Sequence, residues 1–335
     1  MKVSELGEFR LIDLLEKMVA ASKGNQAFRQ QLVIGIGDDA AVWQDKGALQ
    51  LATTDSLVQD VHFSLDTATW YELGWKALAV SLSDIAAMGG VAQYALVTLA
   101  LPPDTEVEDI TALFQGMLKL AQPSGLAIAG GDIVRSSVIM ITTMVTGSTP
   151  DREHVLMRSA AKPGERIAVT GYPGAAAAGM KMLQDNRQPD SEATAYLRQA
   201  FLQPEPRLAE GMLLVSNGVK AAIDISDGLM ADLTHICQAS HVGARVEVDR
   251  LPIAPAVKDI FGDNSLELAL SGGEDYELLF TASTEIIEKV ARAASCPITV
   301  IGEITAEETG KIDLINKEGG SFHLNSDGWD HFVAR

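Results

Sequence analysis

Apolar side chains recur along this chain at two spacings. Phe9, Leu11, Ile12, Leu14, Leu15, Met18 and Val19 follow the period of one amphipathic helix, and residues 23–31 read as a polar loop. Short apolar runs then predict strands. One covers 32–36 and ends in Gly35-Ile36-Gly37-Asp38-Asp39; another covers 49–53 and ends in Thr53-Thr54-Asp55. A helix is predicted over 69–88, because Thr69 and Glu72 have the spacing of an N-terminal capping box and Gly89-Gly90 follows the last apolar residue. Strands over 94–99, 126–129 and 138–145 follow, with a helix over 109–121 between the first two.

The pattern breaks around 147–150, and Arg158-Ser159-Ala160-Ala161-Lys162-Pro163-Gly164 leads into the next strand, 166–170. This predicts two domains, residues 1–148 and 149–335. The second half mixes strands near 221–225, 245–248, 276–280 and 299–301 with helices near 206–212, 229–237 and 284–294. No short tandem repeat is visible. The fold class expected is a two-domain α/β or α+β protein.

At 335 residues and 47% hydrophobic, the chain can bury two substantial cores. Met1-Lys2 leads into Glu5, Glu8, Arg10 and Asp13 without an apolar run, and later apolar stretches are interrupted by Gly, Pro or charge. The expectation is a cytoplasmic protein with neither signal peptide nor membrane span. Cys237 and Cys296 form no paired motif. A formal charge of −19 opposes a nonspecific grip on nucleic acid, but it leaves room for a nucleotide whose metal ions change the local sign.

Carboxylates stand where the hydrophobic segments break: Asp38-Asp39, Asp55, Asp84, Asp132, Asp224 with Asp227, and Glu274-Asp275. Oxygen-rich clusters bind hard cations such as Mg²⁺, which bridge phosphates, so the pattern points to magnesium-dependent phosphate chemistry. Each member also has a plain structural reading. Asp38-Asp39 can cap a turn, Thr53 and Thr54 can be ordinary β-formers, and Gly130-Gly131-Asp132 is either a tight turn or a close backbone approach to a nucleotide. Asp84 is the exception, since an unpaired carboxylate inside an apolar helix is costly without a metal, a cation or solvent.

The junction from Ala222 to Leu229 offers backbone N–H groups and the Ser226 hydroxyl to a phosphate, with Asp224 and Asp227 as metal ligands. Arg158 is a phosphate clamp or a solvated boundary residue. Gly171-Tyr172-Pro173-Gly174-Ala175 is a strand-to-helix turn but not a P-loop, and the protein-kinase motifs are missing. His62 and Trp329 are either packing groups or ligand contacts, and Glu274, in the segment 271–278, either belongs to a plain β-entry turn or faces a cationic substrate. The remaining histidines have no zinc spacing.

The motifs form an ordered set: GEF at 7–9, GIGDDAA at 35–41, TTDSLVQDVHF at 53–63, LSDIAAMGG at 82–90, GGD at 130–132, DISDGL at 224–229, SGGEDYELLF at 271–280 and GWDHF at 328–332. In this the chain resembles the bacterial thiamine-monophosphate kinases, within the wider aminoimidazole ribonucleotide synthetase-like family. The resemblance implies an N-terminal domain contributing to a dimeric β-barrel, a C-terminal α/β domain, and transfer of the ATP γ-phosphoryl group to thiamine phosphate. It implies several Mg²⁺ ions on Asp38, Thr53, Thr54, Asp55, Asp84, Asp132, Asp224 and Asp227, with Asp39 a less secure ligand. It further implies nucleotide contacts from Gly131, Asp132, Arg158 and Ser226, and substrate contacts from His62, Glu274 and Trp329, in a homodimer. The altered turn at 171–176 leaves a phosphate contact there open. An early cysteine, expected of a selenophosphate-forming relative, is missing; a catalytically silent nucleotide-binding protein is the rival of a different class.

Overall fold

Residues 32–34, 38–45, 47–185, 192–318 and 320 are described by the computed structural model. The helix expected over 9–19, the loop over 23–31 and Trp329 lie outside the described residues. The chain builds two six-stranded sheets. The first, in the order β1-β2-β3-β6-β4-β5, uses β1 (Leu32–Ile34), β2 (Ala41–Asp45), β3 (Ala48–Val58), β4 (Val91–Leu101), β5 (Ala127–Arg135) and β6 (Met140–Thr149). The second runs β12-β9-β11-β7-β10-β8, from β7 (Arg166–Thr170), β8 (Ala221–Asp224), β9 (Gly243–Glu247), β10 (Leu278–Ala282), β11 (Ile298–Thr305) and β12 (Ile312–Ile315).

Nine α-helices are described: α1 (Trp70–Ala87), α2 (Val107–Ser124), α3 (Ala175–Gln184), α4 (Glu192–Leu202), α5 (Leu208–Ser216), α6 (Leu229–Ser240), α7 (Pro255–Phe261), α8 (Ser265–Ser271) and α9 (Thr284–Ala293). The expected capping box starts α1: Thr69 Oγ1 accepts the Glu72 N–H, and a Glu72 carboxylate oxygen accepts the Thr69 N–H at 2.8 Å. The same carboxylate receives the guanidinium of Arg198 from α4 at 2.9 and 2.7 Å. Most of α1 is buried all round, as a helix between layers must be. It packs on β3 and β6 of the first sheet and on α5 and β8 beside the second.

Its neighbours come unusually close. A Cβ on Gly74 would stand 1.8 Å from Leu113 O, one on Gly116 1.9 Å from Tyr71 O, and one on Gly211 2.2 Å from Ala86 O. Glycine therefore sets the α1–α2 and α1–α5 crossings.

Several strands run farther than the sequence pattern predicts, and two of them, β3 and β5, do so through candidate site residues. β3 continues through Thr53-Thr54-Asp55 to Val58, because its ladder to β6 persists to the Val58–Met140 pair. These residues are mid-strand, not at a strand end. Likewise Gly130-Gly131-Asp132 lies inside β5, paired in parallel with β4, and is no turn. Conversely β10 begins two residues later than expected, since Glu274 (φ 66°) and Tyr276 (φ 53°) hold left-handed backbone that a ladder cannot accommodate.

Candidate active site

The acidic residues converge where α1 passes between the sheets. Asp55 projects from β3 and accepts from Ser81 Oγ of α1 at 2.8 Å. Asp84, one turn later, accepts from the Thr53 hydroxyl. Asp224, at the end of β8, accepts from Ser83 Oγ at 2.6 Å. Carboxylate oxygens of Asp39, Asp84 and Asp224 lie within 4.8 Å of one another. Ser81 and Ser83 stand about 200° apart around α1 and reach toward β3 and β8 respectively, with Asp84 between them, as a helix in contact with two sheets allows.

Such crowding makes ionisation unfavourable. Desolvation, then the charges of Asp55, Asp224 and Asp39, push the Asp84 carboxyl well above its ordinary range. Desolvation also raises Asp55, and it raises Asp224 to about 7, with the Asp39 charge adding to the latter shift. Asp38 likewise rises to about 7 through burial and the charge of Asp39, against the pull of Arg158. Arg158 is the cation of the cluster: its guanidinium donates to Asp39 and stands 3.8 Å from Asp38 Oδ1. Burial works against that charge, but the carboxylates outweigh it and raise its pKa. Asp39 Oδ2 is nonetheless buried without a hydrogen-bond partner. An orphaned carboxylate oxygen beside two crowded aspartates fits a hard divalent cation.

Two anion-binding turns suggested by the sequence already hold carboxylates. The N–H groups of Ser226, Asp227 and Gly228 all point to Asp232 Oδ2, at 3.1, 3.2 and 3.1 Å. They are therefore not open to phosphate, contrary to expectation; the Ser226 side chain still lines the cleft described below. Asp232, from the first turn of α6, also groups with Asp227 and His235. Burial pushes His235 down to about 4, which leaves the ring neutral near pH 7. At the altered glycine turn, Asp275 caps α3 by accepting from Gly174 N at 2.6 Å and Ala176 N at 3.0 Å. A phosphate there would meet an occupied helix terminus.

A cleft of ≈ 750 Å³ opens beside the cluster. Thr54, Asp55, Asp84, Asp224, Ser226 and Asp227 line one part; His62 and Glu274 line it as well, together with α3 and α8. Thr54 Oγ1 donates to Thr143 O at 3.1 Å. His62 Nδ1 accepts the Val58 N–H at 3.1 Å, which leaves the proton of the neutral ring on Nε2. The Glu274 N–H donates to Ser226 O at 2.7 Å, so the 272–277 segment and the loop before α6 are tied together.

Eight of the expected residues thus share one cleft. Asp38 and Arg158 pair beside it, and Asp39 enters the carboxylate group more directly than Asp38. Gly131 and Asp132 are not brought to it. Asp132 pairs with Thr98, Thr98 with Thr142 and Thr142 with Ser56, so Asp132 lies level with Ser56 but three strand spacings, roughly 14 Å, away. Gly131 is needed by the sheet itself, because a Cβ would fall 1.8 Å from Val97 O. Ser81, Ser83, Asp232 and Lys76 escaped the sequence reading. The two serines were legible only as polar interruptions of an apolar helix beside Asp84, and Asp232 as an acid in the first turn of α6.

Two packed α/β halves with an acidic cleft define the class: the chain belongs to the AIR synthase related family, whose N-terminal domain matches residues 37–149 and whose C-terminal domain matches residues 162–315. Within that family the similarity is to the thiamine-monophosphate kinases. That of Bacillus subtilis (strain 168) is 36% identical over 89% of this chain and 93% of its own length. That of Escherichia coli (strain K12) is 38% identical over 98% of this chain and 99% of its own. The structure of AaThiL complexed with AMPPCP and TMP superimposes with a TM-score of 0.86 at 32% identity, covering 99% of each chain.

Proposed function

We propose that this chain phosphorylates thiamine phosphate to thiamine diphosphate, with ATP as donor and ADP as product. The observation that carries the reading is the single cleft uniting the aspartate cluster with His62 and Glu274. Chain-long similarity to thiamine-monophosphate kinases, one of them solved with AMPPCP and TMP, supports the choice of substrates.

Asp39, Asp55, Asp84 and Asp224, with Asp38, Thr53, Thr54 and Asp227 around them, would hold Mg²⁺. Bound there, Mg²⁺ neutralises phosphate charge and stabilises the charge of the transferring group. The protein's part is positional. Ser81 and Ser83 orient Asp55 and Asp224 through hydrogen bonds, and Thr53 orients Asp84. His62 and Glu274 orient the acceptor, and Arg158 and Ser226 are assigned to the nucleotide. No side chain acts as a general base, because the acceptor is a phosphate oxygen whose second pKa, about 6, leaves it mostly deprotonated near neutrality.

We assign residues 1–148 to metal binding and dimerisation and residues 149–335 to completing the cleft. Tyr94 (56% exposed), Leu96 (45%) and Met144 (36%) lie on the first sheet's outer face, an apolar surface fit for a second copy in a homodimer. Asp132 shares this face by register, and we assign Gly131 and Asp132 to nucleotide and metal contacts made in that dimer. No helix among the described residues is long and apolar enough to cross a membrane.

The test is incubation of purified protein with ATP, Mg²⁺ and thiamine phosphate, following ADP and thiamine diphosphate together. Magnesium-dependent, equimolar products are expected, with none when thiamine replaces thiamine phosphate. A folded, ATP-binding protein that makes neither product would refute the reading.

A further inference from the structure

Lys76 lies in the middle of α1 with no exposed surface. Its ammonium stands 3.6 Å from the centre of the Phe201 ring and 3.0 Å from Glu274 Oε1. Among the described residues the ammonium has no other ionic partner. Burial lowers the lysine's pKa, and the Glu274 carboxylate beside it opposes that shift. Placing a charge at such a position is costly, and a buried apolar side chain of similar volume often serves stability as well or better. The lysine therefore calls for a reason other than packing.

That reason is on the other side of the pair. Glu274 borders the cleft with its side chain 24% exposed. Its backbone is held in left-handed conformation, φ 66°, by the 2.7 Å bond to Ser226 O. Strain of this kind, in a residue other than glycine, persists only where surrounding contacts over-determine it, and it clusters at functional sites. The backbone contact fixes where the side chain starts; Lys76 is the described partner that fixes where the carboxylate goes.

We infer that Lys76 is a positioning and specificity residue: its buried ammonium holds one oxygen of Glu274, so the carboxylate enters the cleft as an oriented, charge-compensated hydrogen-bond acceptor. A bare glutamate would favour any cation. A glutamate already paired with an ammonium at 3.0 Å selects instead for an N–H donor placed opposite its free oxygen. The aminopyrimidine amine of thiamine phosphate is such a donor, and in this respect the inference rests on the proposed function. It gives Glu274 the role of reading a hydrogen-bond donor rather than of attracting the positive thiazolium.

The experiment compares wild type, Lys76→Met, Lys76→Gln, Glu274→Gln and the double variant K76M/E274Q. The readouts are KM for thiamine phosphate, KM for ATP, kcat and melting temperature. K76M is expected to raise KM for thiamine phosphate roughly tenfold, the scale of one misplaced hydrogen-bonding group, while KM for ATP and melting temperature hold or the latter rises. K76Q keeps a donor toward Glu274 and should fall between wild type and K76M. In the E274Q background K76M should add no further loss, since Lys76 acts through Glu274. A folded K76M or K76Q with wild-type KM, or a K76M effect that persists unchanged in the E274Q background, would overturn the inference. If K76M does not fold, K76Q decides. Wild type that releases no ADP with thiamine phosphate would instead refute the function itself, a result distinct from either.

Discussion

Asp38 and Asp224, raised to about 7 by burial and by the charge of Asp39, keep protons in the folded chain at pH values where the unfolded chain has lost them. Between roughly pH 4 and 7 the native state binds more protons, so the contribution of these groups to stability declines as pH rises. The melting temperature of metal-free protein is expected to fall from about pH 5 to about pH 8, and Mg²⁺ to remove most of the fall, because it binds the deprotonated carboxylates. Asp84→Asn should flatten the metal-free profile while lowering turnover roughly 100-fold. A metal-free melting temperature that climbs over this interval in wild type would argue against crowding. Ser83→Ala removes the 2.6 Å support of Asp224 and should weaken magnesium activation by about 10- to 100-fold with folding intact, measured by titrating Mg²⁺ against rate. At this scale the carboxylates of the cluster were legible because acidic residues that interrupt apolar runs are conspicuous. Their supporting serines were not, since a serine in an apolar helix acquires its meaning from the strand across from it.

α1 carries the site because it is in contact with both sheets, and small residues on its neighbours permit that. Gly211→Ala would place a methyl 2.2 Å from Ala86 O and push α5 off α1. We expect a loss of about 1–3 kcal/mol in urea unfolding, with reduced activity because Asp84 and Asp224 separate. Thr69→Ala removes half of the capping box and should cost about 1 kcal/mol in the same measurement, leaving kcat nearly unchanged since the cluster lies at the other end of the helix. The helix was readable from its cap, its apolar run and its terminal glycines. The extents of β3 and β5 were not, because polar residues inside a strand look like a loop until a partner strand pairs with them.

Over the whole molecule, the exposed apolar residues on the outer face of the first sheet bear on assembly. If the proposed homodimer forms through this face, Leu96→Lys, at a position 45% exposed, is expected to shift it to monomer in sedimentation velocity and to lower activity with it. A monomeric wild type, or a dimer that L96K leaves intact, would refute the assignment of this face.

By itself the sequence determined the two-half α/β organisation, the long capped helix and most of the acidic residues that meet in the cleft. Periodicity, capping chemistry and charge placement are local properties, and they survive without knowledge of neighbours. Tertiary structure alone decided that Asp39 joins Asp84 and Asp224, that Asp232 and Asp275 fill turns otherwise suited to phosphate, and that a buried lysine stands behind Glu274. Each depends on segments far apart in the chain meeting within a few ångströms, and no spacing along the chain encodes that.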